Sequence, residues 1–217
     1  MFLSGDIIAK SGGAWIAPFD PDRVDCAAYT MRVGDEAFVS PEGRDTRKPG
    51  LTQRLNQGDP IVIPPGQFAF LPTREFITLP HDMLGLINMK SGLKNSGLVN
   101  VSGFHVDPGY KGKLMFAVFN AGPNTVTVRC DQPAFLIWFA RLEGATKKYE
   151  RTKPGYREID TELMGLIPAE TASLNSLNNR IDALNRRLYY TTTGVAVICS
   201  VVGAAIGALI ATALSGN

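Results

Sequence analysis

The stretch Val101-Ser102-Gly103-Phe104-His105-Val106-Asp107-Pro108-Gly109-Tyr110-Lys111-Gly112-Lys113-Leu114 sets one carboxylate, Asp107, between an apolar alternating run and a Pro-Gly turn. A second alternating run, Leu114, Phe116 and Val118, follows at once. The pattern predicts a strand, a tight turn and a strand, with an acid held at the bend. A carboxylate fixed there is placed to hold a water or a sugar hydroxyl. The same spacing also suits an Asx-type turn in which Asp107 bonds only its own backbone. A second chemically suggestive stretch, Lys90-Ser91-Gly92-Leu93-Lys94, reads as a turn opening a short helix. Free backbone N–H groups beside a lysine suit a phosphate, although many surface turns share Lys-Ser-Gly by chance.

These residues need a scaffold, and the chain has the material for one. With 217 residues and 45% hydrophobic content it can bury a full core. A net charge of +2, with no aromatic interleaved among basic residues, argues against a groove that tracks nucleic-acid phosphates. The three cysteines, Cys26, Cys130 and Cys199, show no paired spacing, which fits a reducing, cytoplasmic setting. With only His81 and His105 as histidines and no Cys or His cluster, a zinc site is not expected. The first ten residues lack a long apolar core behind a basic start, so no signal peptide is read there.

Along the chain, Ser4 before Gly5-Asp6-Ile7-Ile8 predicts a capped short helix. Short strand-like runs follow at Trp15 to Phe19 and Cys26 to Val33, and a polar loop is expected from Arg44 to Asp59. The runs Ile61 to Ile63, Gln67 to Leu71 and Phe76 to Leu79 read as separate strands divided by Pro64-Pro65-Gly66 and Pro72-Thr73. Thr125 to Val128 and Ala134 to Ala140 complete the set, the latter apolar on both faces and so expected in a core or at a subunit contact. Many short strands at this spacing predict a mostly β sandwich or barrel. Thr146 to Ile159 is charged and carries Tyr149 and Tyr156 around Lys153-Pro154-Gly155. It reads either as a solvated tail or as a flexible lid bringing aromatic and basic groups over a ligand.

The C-terminal part differs in kind. Leu174, Leu177, Ile181, Leu184 and Leu188 recur at alternating steps of three and four, the seam of a short coiled coil. Thr191 to Leu214 holds neither a charged residue nor a proline, and about 20 helical residues cross a hydrocarbon core. This predicts a membrane-spanning helix. Gly203 and Gly207, continued by Ala211, form a small-residue stripe that suits close helix approach. Arg180, Arg186 and Arg187 flank its N-terminal end and imply a tail-anchored, single-pass protein with its head in the cytoplasm. The expected division is residues 1–160 as a globular domain, 161–190 as linker and coiled-coil helix, and 191–214 as the membrane helix.

Several motifs together resemble the dCTP deaminase/dUTPase superfamily, from about Met1 to Tyr156. They are Leu3-Ser4 with Ile7-Ile8, Ile16 with Pro18-Phe19, Ala28-Tyr29 with Arg32-Val33-Gly34-Asp35 and Phe38, Ile77 with Leu79-Pro80, Lys90-Ser91-Gly92-Leu93 with Gly97-Leu98, and Val106-Asp107-Pro108-Gly109-Tyr110 with Gly112. The resemblance implies a dUTPase-like β-barrel or jelly-roll domain, a homotrimer with each nucleotide site at a subunit interface, and a deoxynucleoside triphosphate as ligand. It implies that Asp107 holds the catalytic water and deoxyribose hydroxyl. Lys90, Ser91 and Gly92 would cradle the triphosphate with bridging Mg²⁺, and His105, Tyr110, Tyr149, Lys153 and Tyr156 would complete the nucleotide site.

The departures from that resemblance bear on the chemistry. Where deaminases place a proton-shuttling glutamate, this chain has Ala117. Loss of a general acid/base removes about 10²–10⁴-fold in rate. Lys90 replaces an arginine and loses its bidentate fork. Asn95 replaces a second arginine, Leu136 a glutamine and Thr30 an acid, and the dUTPase-type C-terminal closure is missing. The expectation is a membrane-anchored nucleotide-binding protein that has lost deamination and senses its ligand at the membrane, with antiviral defence as a setting. An active dCTP deaminase or dUTP diphosphatase using Asp107 and Mg²⁺ is the alternative, and a scaffold that merely clusters membrane helices is a third.

Overall fold

The computed structural model describes residues 1–41, 52–145, 154–160 and 174–215. Two compact units emerge, Met1–Ser173 and Leu174–Asn217. The first is built almost wholly from strands. It opens with a helix α1 (Gly5–Ser11) that starts after Ser4, whose backbone carbonyl accepts from Ile8 N–H at 3.1 Å while its side chain makes no cap bond. Strands β1 (Ile16–Ala17), β2 (Val24–Asp25), β3 (Ala28–Arg32), β4 (Glu36–Val39), β5 (Gln53–Arg54), β6 (Pro60–Ile63), β7 (Phe68–Thr78) and β8 (Met83–Met89) follow. A short helix α2 (Ser91–Asn95) then precedes β9 (Leu98–Asn100), β10 (His105–Val106), β11 (Lys111–Asn120), β12 (Val126–Arg129) and β13 (Pro133–Arg141).

Two main sheets result. One has the order β5-β4-β7-β11-β9 with β1 also on β7, and the other runs β10-β8-β13-β3-β2. A two-stranded ribbon pairs β12 with β6. Alternation decides which side chains meet between the sheets, since successive residues of a strand point to opposite faces. Leu114, Phe116 and Val118 of β11 and Phe135, Ile137 and Phe139 of β13 belong to one buried cluster. Phe116 stacks on Phe135 with ring centroids 3.9 Å apart and a 9° interplanar angle, joining the sheets at their centre. Burial of one such ring contributes about 1.5–3 kcal/mol. The expected mostly β domain is therefore present; of the run from Ala134 to Ala140, Ala134, Phe135, Ile137 and Phe139 lie in its core, while Leu136, Trp138 and Ala140 on the other face are only partly buried.

An ion pair crosses between the same sheets. Glu75 of β7 has no solvent exposure, and its carboxylate accepts from Arg32 N–H at 2.9 Å and from Arg32 Nε at 2.8 Å. Arg32 Nη1 also lies 3.1 Å from Asp131 Oδ1, so the arginine is shared by two acids. Removing one partner of such a buried set leaves an uncompensated charge, at a cost of about 3–5 kcal/mol.

Three readings change. Pro72 does not end a strand: β7 runs unbroken from Phe68 to Thr78 in the middle of its sheet. A proline has no ladder N–H to give, but here the ladder is already interrupted by a register shift between Lys113 and Met115 of β11. Leu114 N–H is satisfied instead by Thr73 Oγ1 at 2.9 Å, and Pro72 supplies only its carbonyl, to Gly34 N–H at 2.7 Å. The loop read from Arg44 to Asp59 contains a strand at Gln53–Arg54 paired with β4, while residues 42–51 lie outside the described residues. The segment read as a tail or lid is, in its described part, bonded to β11.

The second unit is one uninterrupted helix, α3 (Leu174–Ser215). Its Arg180–Leu209 portion is long and apolar enough to cross a membrane by length and composition. The hydroxyls of Thr191, Thr192, Thr193 and Ser200 all donate to carbonyls of the preceding turn, at 2.7–3.0 Å. That internal satisfaction is what a polar side chain in hydrocarbon needs.

Candidate functional site

The Asp107 turn forms as its sequence predicts. Tyr110 N–H donates to Asp107 C=O at 3.2 Å, with Pro108 first and Gly109, at φ +78°, second of the two central residues. Positive φ at that place is the signature of a type II turn and suits glycine. A Cβ on Gly109 would also come within 2.8 Å of the His81 ring, so the turn is held closely from outside. β10 enters the turn by pairing Val106 with Gly85 and His105 with Leu86 of β8. The Asp107 carboxylate is half-exposed, 42% for the side chain, and its Oδ1 lies 3.3 Å from His105 Nε2. His105 in turn meets Phe104 edge-on at 5.0 Å between ring centres.

The Lys90 to Gly92 stretch lies elsewhere. Lys90 follows β8, donates its N–H to Ala134 C=O at 2.9 Å and places its Nζ 3.8 Å from Asp25. Ser91 and Gly92 open α2 and are exposed. A cleft of about 680 Å³ lies beside this helix and is lined by Lys90, Gly92, Asn95, Ser96 and Asn124 among others. Since Asp107 adjoins the Leu84 end of β8, and Ser91 lies seven residues further on, the two sites are about 20 Å apart along one chain. The structure does not bring Asp107 and Ser91 together within the chain.

Of the remaining expected site residues, Tyr110 is buried at 5%, and its hydroxyl donates to Lys113 C=O. Its ring packs where a Cβ on Gly155 would fall, so it supports the turn from inside. Tyr149 and Lys153 lie outside the described residues. Tyr156 is a strap residue: Lys113 N–H donates to Tyr156 C=O at 2.7 Å, and Gly155 N–H to Lys111 C=O at 3.0 Å. Gly112 and Gly155 allow this backbone contact, because a Cβ on Gly112 would lie 2.6 Å from the Gly155 carbonyl carbon. The described part of the predicted lid, Pro154 to Ile159, is thus bonded to β11 through Gly155 and Tyr156 and to β4 through Ile159, and is neither a tail nor a loose cover. Backbone pairing and a buried Ile159 provide the reason.

The strap leads to what the sequence reading missed. Ala117 lies on the outer face of β11, opposite Phe70 of β7, which is itself opposite Phe38 of β4. Phe38, Phe70, Met115 and Ile159 form a separate buried cluster against which Ala117 packs. Ile159 is tied down by its N–H donating to Glu36 Oε2 at 3.0 Å, and Arg54 lies 3.7 Å from Glu36 and 3.6 Å from Glu158. The environment of Ala117 is apolar. The carboxylate sharing this face, Glu36, is two strand spacings across and two residues along, about 12 Å away, and already engaged. Glu36 and Phe38 alternate in a way that places both on one face, but nothing local indicates that Ile159 covers them.

Two other departures turn out to be neighbours. Thr30 of β3 and Leu136 of β13 are direct cross-strand partners, and Leu136 faces Asn88 of β8 on its other side. A polar pairing expected of an acid and a glutamine has become a threonine against a leucine. Among the described residues no three His, Cys, Asp or Glu side chains are grouped so as to hold a metal ion.

Residues 3–142 match the dCTP deaminase-like family, and the chain belongs to it. The dCTP deaminase of Thermococcus kodakarensis is 35% identical over 132 residues, covering 61% of this chain and 79% of that one. The dCTP deaminase of Pyrobaculum neutrophilum is 32% identical over 170 residues, covering 73% of this chain and 94% of that one. The crystal structure of 2'-deoxycytidine 5'-triphosphate deaminase from Agrobacterium tumefaciens superposes with a TM-score of 0.52 at 22% identity, over 65% of this chain and 49% of that one. This chain spans about half the length of that structure, and the likeness shows a shared fold.

Proposed function

We propose that this protein binds a deoxynucleoside triphosphate or a related nucleotide, has lost the deaminase step, and reports occupancy to a membrane through α3. The observation that carries the reading is Ala117 among Phe38, Phe70, Met115 and Ile159. A cytosine amino group can be replaced by water only if some group moves protons between the water and the base. An alanine in an apolar cluster cannot do so, and Glu36 is too far and too committed to replace it. The half-exposed Asp107 keeps its place at the turn, and Lys90 and Gly92 line the cleft beside α2, so recognition can outlast chemistry.

The separation of these two half-sites along β8 supports assembly of a complete site between copies, as a homotrimer would provide. In that arrangement Asp107 of one protomer meets the Lys90 to Gly92 turn of another. Mg²⁺ would arrive on the triphosphate, whose oxygens supply the ligands that the protein does not group. Residues 1–160 act as the binding head, 161–190 as linker and coiled coil, and 191–214 as a single-pass anchor, the arginine bias keeping the head cytoplasmic. Antiviral defence is a setting in which a nucleotide-sensing membrane protein has use.

The test is a thermal-shift screen of deoxynucleoside mono-, di- and triphosphates on the full chain in detergent, beside assays of dCTP and dUTP turnover. A ligand that binds only the native state at 100 times its Kd stabilises it by about 2.7 kcal/mol. The expected result is stabilisation by a triphosphate, lost in Asp107→Ala, without dUTP, dUMP or pyrophosphate being formed. Product that appears and then vanishes in Asp107→Ala would establish a working hydrolase instead, which the accessible Asp107 carboxylate and its His105 neighbour favour as the second reading. Stabilisation by no nucleotide, with Asp107→Ala inert, would leave a clustering scaffold.

A further inference from the structure

We infer that α3 carries a binding site for an anionic phospholipid, with Arg180 and Arg187 as the head-group cradle. The inference rests on the membrane-anchor reading and adds a ligand to it. A groove of about 460 Å³ on the helix surface is lined by Arg180, Ala183, Leu184 and Arg187. Seven residues separate the two arginines, nearly two turns, so they share one face with their Cα atoms about 10 Å apart along the axis. Two guanidinium arms can converge on one phosphate lying between them, over Ala183. Guanidinium suits this task because its fork meets phosphate oxygens in pairs and is more weakly hydrated than an ammonium.

Depth and charge identify the occupant. Tyr189 and Tyr190 are exposed and lie directly before the uncharged run that starts at Thr191, where amphipathic rings occupy the boundary between water and hydrocarbon. The groove begins about one turn above them, at the level of lipid head groups. Arg186 adds a third cation nearby, its Nε 3.4 Å from Asp182 C=O. Asp182 is the single acidic residue of the Leu174 to Leu214 segment, and it lies on the opposite side of the helix from the groove by the 100° step.

The same face continues into the membrane with little bulk. Continuing from Arg187 in steps of seven gives Gly194, Val201 and Ala208. A Cβ on Gly194 would meet nothing within 4 Å, so the notch beneath Arg187 is open. An acyl chain can lie in it while the phosphate stays between the arginines. A free phosphate uses the cradle but not the notch, so the observations favour a lipid.

The test uses the full chain in nanodiscs of phosphatidylcholine containing phosphatidylglycerol, with retained lipid counted by native mass spectrometry and flotation on liposomes measured in parallel. Each basic residue near a charged leaflet is worth about a five-fold preference, so the wild type should retain phosphatidylglycerol over phosphatidylcholine by about 25-fold. Arg180→Gln with Arg187→Gln should remove that 25-fold component, leaving at most the share of Arg186, yet still float. Gly194→Leu should float, keep both charges and lower the preference by filling the notch. Wild type that floats but shows no lipid preference, or a double variant that keeps it, would overturn the site alone. An unchanged preference in Gly194→Leu would overturn the acyl notch. Failure of the wild type to float would overturn the anchor reading and the site with it.

Discussion

On the inner face of β11, Leu114, Phe116 and Val118 are at most 4% exposed and continuous with the main core. On its outer face Met115, Ala117 and Phe119 are less enclosed, and Met115 and Ala117 join a small cluster closed by Ile159 from the strap. One strand thus serves two purposes by alternation alone. The inner residues hold two sheets together and tolerate little change. The outer face is where the resemblance to deaminases expects a proton-carrying side chain, and there an apolar patch has taken its place. Fold and chemistry can vary independently on such a strand because they occupy opposite sides of the same backbone.

The contrast can be broken by mutation. Phe116→Ala should cost about 3–5 kcal/mol, measured by guanidinium unfolding of the detergent-solubilised chain. A loss below 1 kcal/mol would mean that the Phe116–Phe135 stack does not join the sheets. Ile159→Ala should cost less, about 2 kcal/mol, and should raise amide exchange in Pro154 to Asp160 and β4 while leaving β13 protected. Exchange that rises equally in all strands would merge the two clusters into one. Ala117→Glu should cost about 1 kcal/mol, since the position is half-buried, and should yield no dUTP from dCTP. Thr30, Leu136, Asn95 and Lys90 still depart from the deaminase pattern, so recovery of turnover by this single change would show that Ala117 alone silences the chemistry.

The smallest effect sharpens the boundary between the faces. Asp35 donates no proton at neutral pH but accepts from Lys113 Nζ at 2.9 Å, and this bond holds its carboxyl below the usual carboxylate range. A depressed folded value means that the unfolded chain takes up a proton first as pH falls. The pair therefore contributes fully above the ordinary aspartate range, and its contribution is lost as pH drops through the lowered folded value. Asp35→Asn should remove that part of the acid dependence of unfolding, with a small loss of stability at pH 7 that closes as pH falls below the lowered value. An identical acid limb in the variant would show that this pair does not set it.

Much of this was legible before any coordinates. The Asp107 turn announced itself because Pro-Gly fixes two backbone angles locally, and α2 began at Ser91 where the sequence placed it. Pro72 misled because its cost depends on what the neighbouring strand offers. The register shift beside it, and Thr73 Oγ1, absorb the missing N–H. Tyr110 showed an aromatic in a functional motif, but only packing against Gly155 and the bond to Lys113 C=O reveal that it supports the turn from within.

By itself the sequence determined the strand-rich head, the acid at its rigid turn and the long apolar helix, since periodicity and Pro-Gly geometry act over a dozen residues or fewer. Tertiary structure decided that Asp107 and Ser91 occupy opposite ends of β8, and that Ile159 closes the patch around Ala117. The bond that fixes this closure joins residues 123 positions apart, Ile159 N–H to Glu36. No local preference encodes such a partner, because its gain appears only after the sheet that carries Glu36 has formed.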